Sequence, residues 1–257
     1  MNKVLSGVRV LVTRPEHQAE NLSRLIEERG GIAVRFPALE IVAKDDADRI
    51  KDALENLDFF QWVIFISANA VNFALQANDG KIARTKSVRF AAVGQATAQT
   101  MRMAGLRVDL VPESGYNSEA LLAMPQLQQV EGQRFLIVRG EGGREQLATT
   151  LRSRGAEVNY LEVYKRLIPR IDSSPVVELL AQQSLDIITV TSAEALQNLK
   201  LMLDEKNNKL LSLIPLVVVS DRIRRQAFEM GFNRVTVTSS PIDTAILETV
   251  ITCVTGE

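Results

Sequence analysis

The sequence predicts an α/β protein with two parallel sheets, made by internal duplication. Three observations carry that prediction. Short apolar runs recur along the chain, glycine-terminated helical patterns lie between them, and the first half matches the second.

The apolar runs are VRVLV (8–12), WVIFI (62–66), VRFAAV (88–93), FLIV (135–138), DIITV (186–190), LVVV (216–219) and RVTV (234–237). They are β-branched and nearly continuous rather than alternating, as strands buried on both faces must be. Between them, AENLSRLIEERGG places Leu22, Leu25 and Ile26 at helical spacing and ends on glycine. QATAQTMRMAG and DRIRRQAFEMG end the same way, where a helix needs a residue tolerant of the left-handed region. Strands alternating with such helices make parallel sheets.

The repeat is legible in one register. Arg14 and Arg139 stand 125 apart, as do Glu20 and Glu145, Leu22 and Leu147, Arg29 and Arg154, and Gly30 and Gly155. VLVTRPEHQAENLSRLIEERGG therefore aligns on FLIVRGEGGREQLATTLRSRGA, and FISANAV (65–71) on VTSAEAL. One inserted residue moves the offset to 126, placing Val93-Gly94 on Val219-Ser220 and Gly105 on Gly231. Two homologous halves explain this most simply.

Two stretches depart from the buried-strand pattern. FPALEIVA (36–43) and YLEVYKRLIP (160–169) alternate apolar and polar residues at matching places in the halves. Alternation predicts strands with one exposed face, and their pairing would make a two-stranded antiparallel β-ladder. Residues 44–159 would then form one domain, and 1–35 with 170–257 a discontinuous second. The expected class is thus α/β, two flavodoxin-like parallel-sheet domains joined by that ladder.

Composition narrows the function. At 257 residues with 46% hydrophobic and 24% charged content, the chain is a soluble globular protein in kind. A net charge of −1 provides no global field for nucleic acid or membrane, so any attraction for a charged ligand must be local. The single cysteine, Cys253, and single histidine, His17, exclude a disulfide framework and a zinc site of the usual kind, and point to a reducing compartment. No signal peptide or membrane span fits the N-terminus, so a cytoplasmic location is expected.

The candidate chemistry lies at strand ends. In FISANAV and VTSAEAL an apolar run gives way at Ser67 and Ser192, natural helix N-caps. The N–H groups of Ala68, Asn69 and Ala193 beyond them could hold an anion without any charged side chain. AVGQATAQ (92–99), with Gly94, Gln95 and Thr97, is a third such junction, and VVSDRIRR (218–225), with Ser220 and Arg222, a fourth. Ligands of open α/β sheets sit outside the carboxyl ends of the strands, so four junctions from two domains could line one cleft. Plain helix capping is the competing reading. Arg14 and Arg139 follow equivalent strands and suit bidentate carboxylate recognition, or are solvated loop arginines. GEGGRE (140–145) fits no nucleotide motif and reads as a flexible loop. His17 reads as surface and Cys253 as packing. Tyr164, in EVYKR, carries a phenol that keeps its proton at neutral pH; packing across a strand pair is the alternative.

Together VLVTRPEHQAENLSRLIEERGG, IFISANAV, AVGQATAQTMRMAGL, QRFLIVRGEGGREQLATTLRSRGAEVNYLEVYKR, ITVTSAEALQNL and SDRIRRQAFEMGF resemble the uroporphyrinogen-III synthase family, in order and over nearly the full length. The resemblance implies a lyase acting on hydroxymethylbilane, a linear tetrapyrrole with eight carboxylates, with no cofactor or metal. In the implied reaction the ring A hydroxyl leaves to give an azafulvene, ring D attacks through its substituted carbon, and the spiro intermediate reopens and closes with ring D inverted. Tyr164 matches the family's tyrosine, a proposed acid, while Ser67, Thr97 and Ser192 match polar positions around its cleft. Ser220-Asp221-Arg222 departs from the turn many members carry, and Arg222 or Arg224 would then be a candidate carboxylate ligand. A monomer without nucleic acid or membrane partners is expected, with the preceding enzyme, hydroxymethylbilane synthase, as candidate protein partner. A non-catalytic two-domain binding or regulatory protein is the alternative that fold alone leaves open.

Overall fold

The computed structural model describes residues 3–83, 87–115 and 117–256. Within them the strands are β1 (Arg9–Val12), β2 (Ile32–Arg35), β3 (Glu40–Ala43), β4 (Trp62–Phe65), β5 (Arg89–Ala92), β6 (Arg134–Gly140), β7 (Glu157–Leu167), β8 (Ile187–Val190), β9 (Leu216–Val218) and β10 (Val235–Val237). The α-helices are α1 (Glu16–Glu28), α2 (Ala47–Glu55), α3 (Ala68–Ala77), α4 (Gln95–Met103), α5 (Ser118–Leu122), α6 (Gln146–Ser153), α7 (Ser174–Ala181), α8 (Ala193–Leu201), α9 (Glu205–Leu211), α10 (Asp221–Glu229) and α11 (Asp243–Thr255). No helix among the described residues is long and apolar enough to cross a membrane.

Contacts divide the chain into two compact units, Met1–Glu40 with Leu167–Glu257, and Ile41–Arg166. The first unit holds a five-stranded sheet in the order β10-β9-β8-β1-β2, with β1 parallel to β2 and β8, and β9 parallel to β8 and β10. Counted in the unit's own chain order this is 2-1-3-4-5, the doubly wound flavodoxin arrangement. One face buries Val10, Val12, Ile187 and Val217 against Ala19, Leu22 and Ile26 of α1 and Ile246, Leu247 and Val250 of α11. The intervening residues Leu11, Ile188, Leu216 and Val218 are equally buried. Burial on both faces is why these strands read as unbroken apolar runs.

The second unit has the order β3-β7-β6-β4-β5, with β6 parallel to β7 and β4, and β4 parallel to β5. A parallel bridge from Ala91 to Leu110 begins a further position beyond β5. With β6 taken as the first strand, β7-β6-β4-β5 and that bridge repeat the 2-1-3-4-5 order in circularly permuted form. The faces separate cleanly. Val63, Phe65, Phe90, Ala92, Leu136 and Val138 pack on α2, α3 and α4. Trp62, Ile64, Ala91, Phe135 and Ile137 pack on α5 and α6. Trp62 stacks on Phe135 at 6.2 Å and donates Nε1–H to Gln133 at 3.1 Å, so the indole is both packed and satisfied.

The alternating stretches are strand only in part. β2, in IAVR, lies just before the first of them and is a sheet strand that the apolar runs did not mark. Of 36–43 only Glu40–Ala43 is strand; Pro37, which has no N–H to donate, stands between it and β2. The equivalent segment without that proline runs unbroken as β7, eleven residues long. Its first half is a member of the parallel sheet beside β6, and β3 adjoins it at the sheet's edge, with Lys44 N–H donating to Val163 O at 3.2 Å. Residues 160–164 are therefore sheet interior rather than a separate ribbon.

Candidate active site

All four strand-end junctions are helix N-caps in extended conformation. Ser67 Oγ accepts from Ala70 N–H at 3.1 Å, Ser192 Oγ from Ala195 N–H at 3.0 Å, and Ser220 Oγ from Ile223 N–H at 3.4 Å. Gly94 caps α4 with no side chain to offer. The N–H groups ahead of each capped one, on Ala68 and Asn69, on Gln95 and Ala96, on Ala193, and on Asp221 and Arg222, have no carbonyl one turn back to bond. Each junction is thus a small array of donors at the positive end of a helix. Ser67 to Asn69, Ser192, Ala193 and Ser220 are half-buried, while Gln95 and Arg222 are exposed. Gln95 Nε2 donates to Pro112 O at 3.3 Å, which ties down the loop after β5. Thr97 is buried, on the inner face of α4.

The two arginines serve within their own units. Arg14 pairs with Asp243 at the start of α11 and donates to Pro241 O at 3.2 Å; Asn21 holds the other oxygen of Asp243 at 2.6 Å. Arg139 lies inside β6 rather than after it and is 3% exposed. Its Nη1 donates to Glu145 at 2.9 Å and its Nε to Gly140 O at 3.1 Å, and its guanidinium stacks 4.5 Å from the Tyr160 ring. Tyr160 donates to the same carboxylate. The hydrogen bonds from Tyr160 and then Arg139 hold the Glu145 carboxyl below its ordinary value, and burial followed by the Glu145 bond pushes the Tyr160 phenol up. Arg222 is exposed on α10 with no partner among the described residues, whereas Arg224 pairs with Asp221 at 2.7 Å.

Tyr164 is where the strand geometry becomes unusual. Opposite β6 the register steps from Arg139↔Glu162 to Gly140↔Tyr164, so Val163 is an extra residue. Simple alternation would put Tyr164 on the face of Tyr160 and Glu162; the bulge turns it onto the face of Val163 instead. There it is fully buried, its ring 5.5 Å from Phe73 of α3. Its hydroxyl lies 3.3 Å from Ser67 Oγ and accepts from Arg166 Nη2 at 3.2 Å. Gly140 makes the room: a Cβ there would stand 2.4 Å from Cε2 of the tyrosine ring. The loop reading of GEGGRE is corrected at this residue, which closes β6, although Gly142 and Gly143 do turn through positive φ of 68° and 100°. In the sequence Gly140 reads only as the start of the GEGGRE loop and Arg166 only as the end of EVYKR, with no site role for either.

His17 is exposed beside Gln18, and the Cys253 thiol faces Thr236 Oγ1 at 3.4 Å. Among the described residues no three His, Cys, Asp or Glu side chains converge as a metal site requires.

Comparison with known proteins accords with this construction. Residues 20–248 match the family model described as uroporphyrinogen-III synthase HemD. The chain is similar to uroporphyrinogen-III synthase of Escherichia coli, 32% identical over 243 residues, which covers 93% of this chain and 98% of that one. It is also similar to that of Salmonella typhimurium, 33% identical over 241 residues with the same coverage. Among solved structures it resembles a mutant uroporphyrinogen III synthase of the extremely thermophilic bacterium Thermus thermophilus, with TM-score 0.68 and 19% identity over 97% of this chain and 100% of that one. The Helicobacter pylori enzyme gives TM-score 0.61 and 16% identity over 95% and 99%. At those identities the structures speak to fold alone. The chain belongs to the uroporphyrinogen-III synthase family, cyclising hydro-lyases of tetrapyrrole biosynthesis.

Proposed function

We propose that this chain cyclises hydroxymethylbilane to uroporphyrinogen III, with loss of water and inversion of ring D, using strand-end donors to set the conformer and Tyr164 as the source of the proton for the departing hydroxyl. The observation that carries the proposal is the Tyr164–Ser67 pair at the carboxyl end of β4, 3.3 Å apart beside the N-terminus of α3. A phenol in reach of an array of anion-binding N–H groups is what a polycarboxylate with a poor leaving group needs.

The bilane closes unaided to the non-inverted isomer, so catalysis rests largely on positioning. The substrate carboxylates would be held by N–H groups at Ala68 and Asn69, at Gln95, at Ala193 and at Ser220-Asp221-Arg222, with the Ser67 and Ser192 hydroxyls beside them and Arg222 as the exposed cation. Gly94 and Thr97 shape the start of α4. Arg14 and Arg139 would act by fixing the loops that follow β1 and β6, and Arg14 could exchange Asp243 for a substrate carboxylate. We read β3 with the far end of β7 as the two-stranded antiparallel ladder through which the chain twice passes from one unit to the other. A substrate that decays in water also favours direct handover from hydroxymethylbilane synthase to a monomer.

The test is an assay with freshly made bilane, scored by isomer. The ring-inverted product is expected. Formation of the non-inverted isomer alone, at the spontaneous rate, contradicts the proposal.

A further inference from the structure

We infer that Tyr164 does not meet the substrate itself but delivers its proton through the Ser67 hydroxyl, with Arg166 fixing the direction of the relay. The inference deepens the function proposed above and rests on it.

The direction follows from counting donors and acceptors. A phenol and a serine hydroxyl each have one hydrogen, and either could donate across the 3.3 Å contact. Tyr164 Oη already accepts from Arg166 Nη2, and a guanidinium can only donate. Ser67 Oγ already accepts from Ala70 N–H. If Ser67 donated to Tyr164, the tyrosine hydrogen would be left in a fully buried place with no other acceptor among the described residues. A buried donor without an acceptor forfeits its hydration with nothing in return. If Tyr164 donates to Ser67, the buried phenol is satisfied, and the one hydrogen left over is that of the serine, at a half-buried junction where solvent or a ligand can accept it. The order is therefore Arg166 to Tyr164 to Ser67 to ligand.

That order also accommodates a buried acid. As the C–O bond of the hydroxymethyl group breaks, its electron pair goes to oxygen, which takes the Ser67 hydrogen and leaves as water. The pyrrole nitrogen pair forms the new double bond of the azafulvene. Ser67 Oγ regains a hydrogen from Tyr164, and the phenolate that remains faces the Arg166 guanidinium. The proton returns when the reclosing pyrrole carbon loses its hydrogen. Ser67 is then the catalytic residue, and Tyr164, Arg166 and the accommodating Gly140 are positioning residues.

The experiment compares Ser67→Gly, Ser67→Thr, Tyr164→Phe and the Ser67→Gly/Tyr164→Phe double variant under single turnover with bilane, in mixtures of light and heavy water. Glycine keeps the α3 cap nearly intact while removing the hydroxyl, and threonine keeps both. Ser67→Gly should slow formation of the inverted isomer at least as much as Tyr164→Phe, about 10²-fold or more. Ser67→Thr should restore most of the rate, and the double variant should be no slower than Ser67→Gly, as members of one chain behave. The rate should curve with deuterium fraction in the wild type, where two protons move, and fall linearly in Tyr164→Phe. Ser67→Gly more active than Tyr164→Phe, multiplied losses in the double variant, or a linear wild-type dependence would each overturn the relay while leaving the function standing. A wild-type chain that yields only the non-inverted isomer removes the function, and the relay with it.

Discussion

The junctions after β4 and β8 are repeats of one another, and they have diverged in an instructive way. Ser67 and Ser192 cap their helices with hydrogen bonds of 3.1 and 3.0 Å and nearly the same backbone angles. What surrounds them differs. Tyr164 and Gly140 stand 125 residues after Leu39 and Pro15, so the first unit has no phenol and no glycine-made space at the matching place. Instead Thr13 Oγ1 donates to Thr189 O at 2.8 Å and Thr189 Oγ1 to Leu11 O at 3.1 Å, buried side-chain bonds that tie the carboxyl ends of the adjacent strands β1 and β8. The acids differ too. α3 and α4 have no acidic residue in the first turn, while α8 has Glu194 and α10 has Asp221. A carboxylate at a helix N-terminus competes with an anionic ligand for the same dipole and N–H groups. Duplication thus provided two similar donor arrays; under the proposed function, the one without first-turn acids is the better anion site, and Tyr164 beside it is the proton source.

The largest effect should come from Gly140→Ala. The added methyl would drive the Tyr164 ring from its place, costing about 1–3 kcal/mol of stability and most of the turnover. Pro15→Ala at the repeat-equivalent position should leave turnover close to wild type. Thermal unfolding with the bilane assay checks both, and equal losses would remove the distinction between the units. Next, Asn69→Glu puts in the second unit the acid that Glu194 places in the first. Its KM should rise by roughly 0.3–1 kcal/mol equivalent, and Glu194→Asn should lower KM if anything. The reverse order of KM values would break the argument from helix ends.

A smaller effect concerns the Arg139–Glu145–Tyr160 cluster of the second unit, which the Arg14–Asp243 pair of the first does not copy. The Glu145 carboxyl is lowered on folding, so its contribution to stability is complete above its ordinary value of 4.5 and fades as pH falls through the folded value. The Tyr160 phenol is raised, so its contribution holds below its ordinary value of 10.0 and fades above it. Glu145→Gln should therefore flatten the acid limb of a plot of unfolding temperature against pH. An acid limb unchanged by that substitution would contradict the assignment.

Much of this was legible in the residues. Buried parallel strands must be apolar on both faces, so seven of the ten described strands marked themselves, and the repeat announced equivalent serine caps. What escaped was set by long-range geometry. β2 is partly exposed along its whole length and ends on Arg35, so no apolar run betrays it. The bulge at Val163 leaves no local trace, yet it decides which way Tyr164 faces. Ser67 reads as a cap from its neighbours alone; its second contact comes from a residue 97 positions away. Arg139 reads as a residue beyond its strand because the apolar run ends at Val138, whereas pairing with β7 carries β6 through Gly140.

The central claim is that the second unit supplies the proton and the first only grips. The most direct test is the kinetic comparison of Ser67→Gly with Ser192→Gly, since glycine keeps both caps. The account predicts that Ser67→Gly lowers kcat with KM unchanged, and that Ser192→Gly raises KM by about 1 kcal/mol equivalent with kcat unchanged. The same division between kcat and KM in both variants would contradict it.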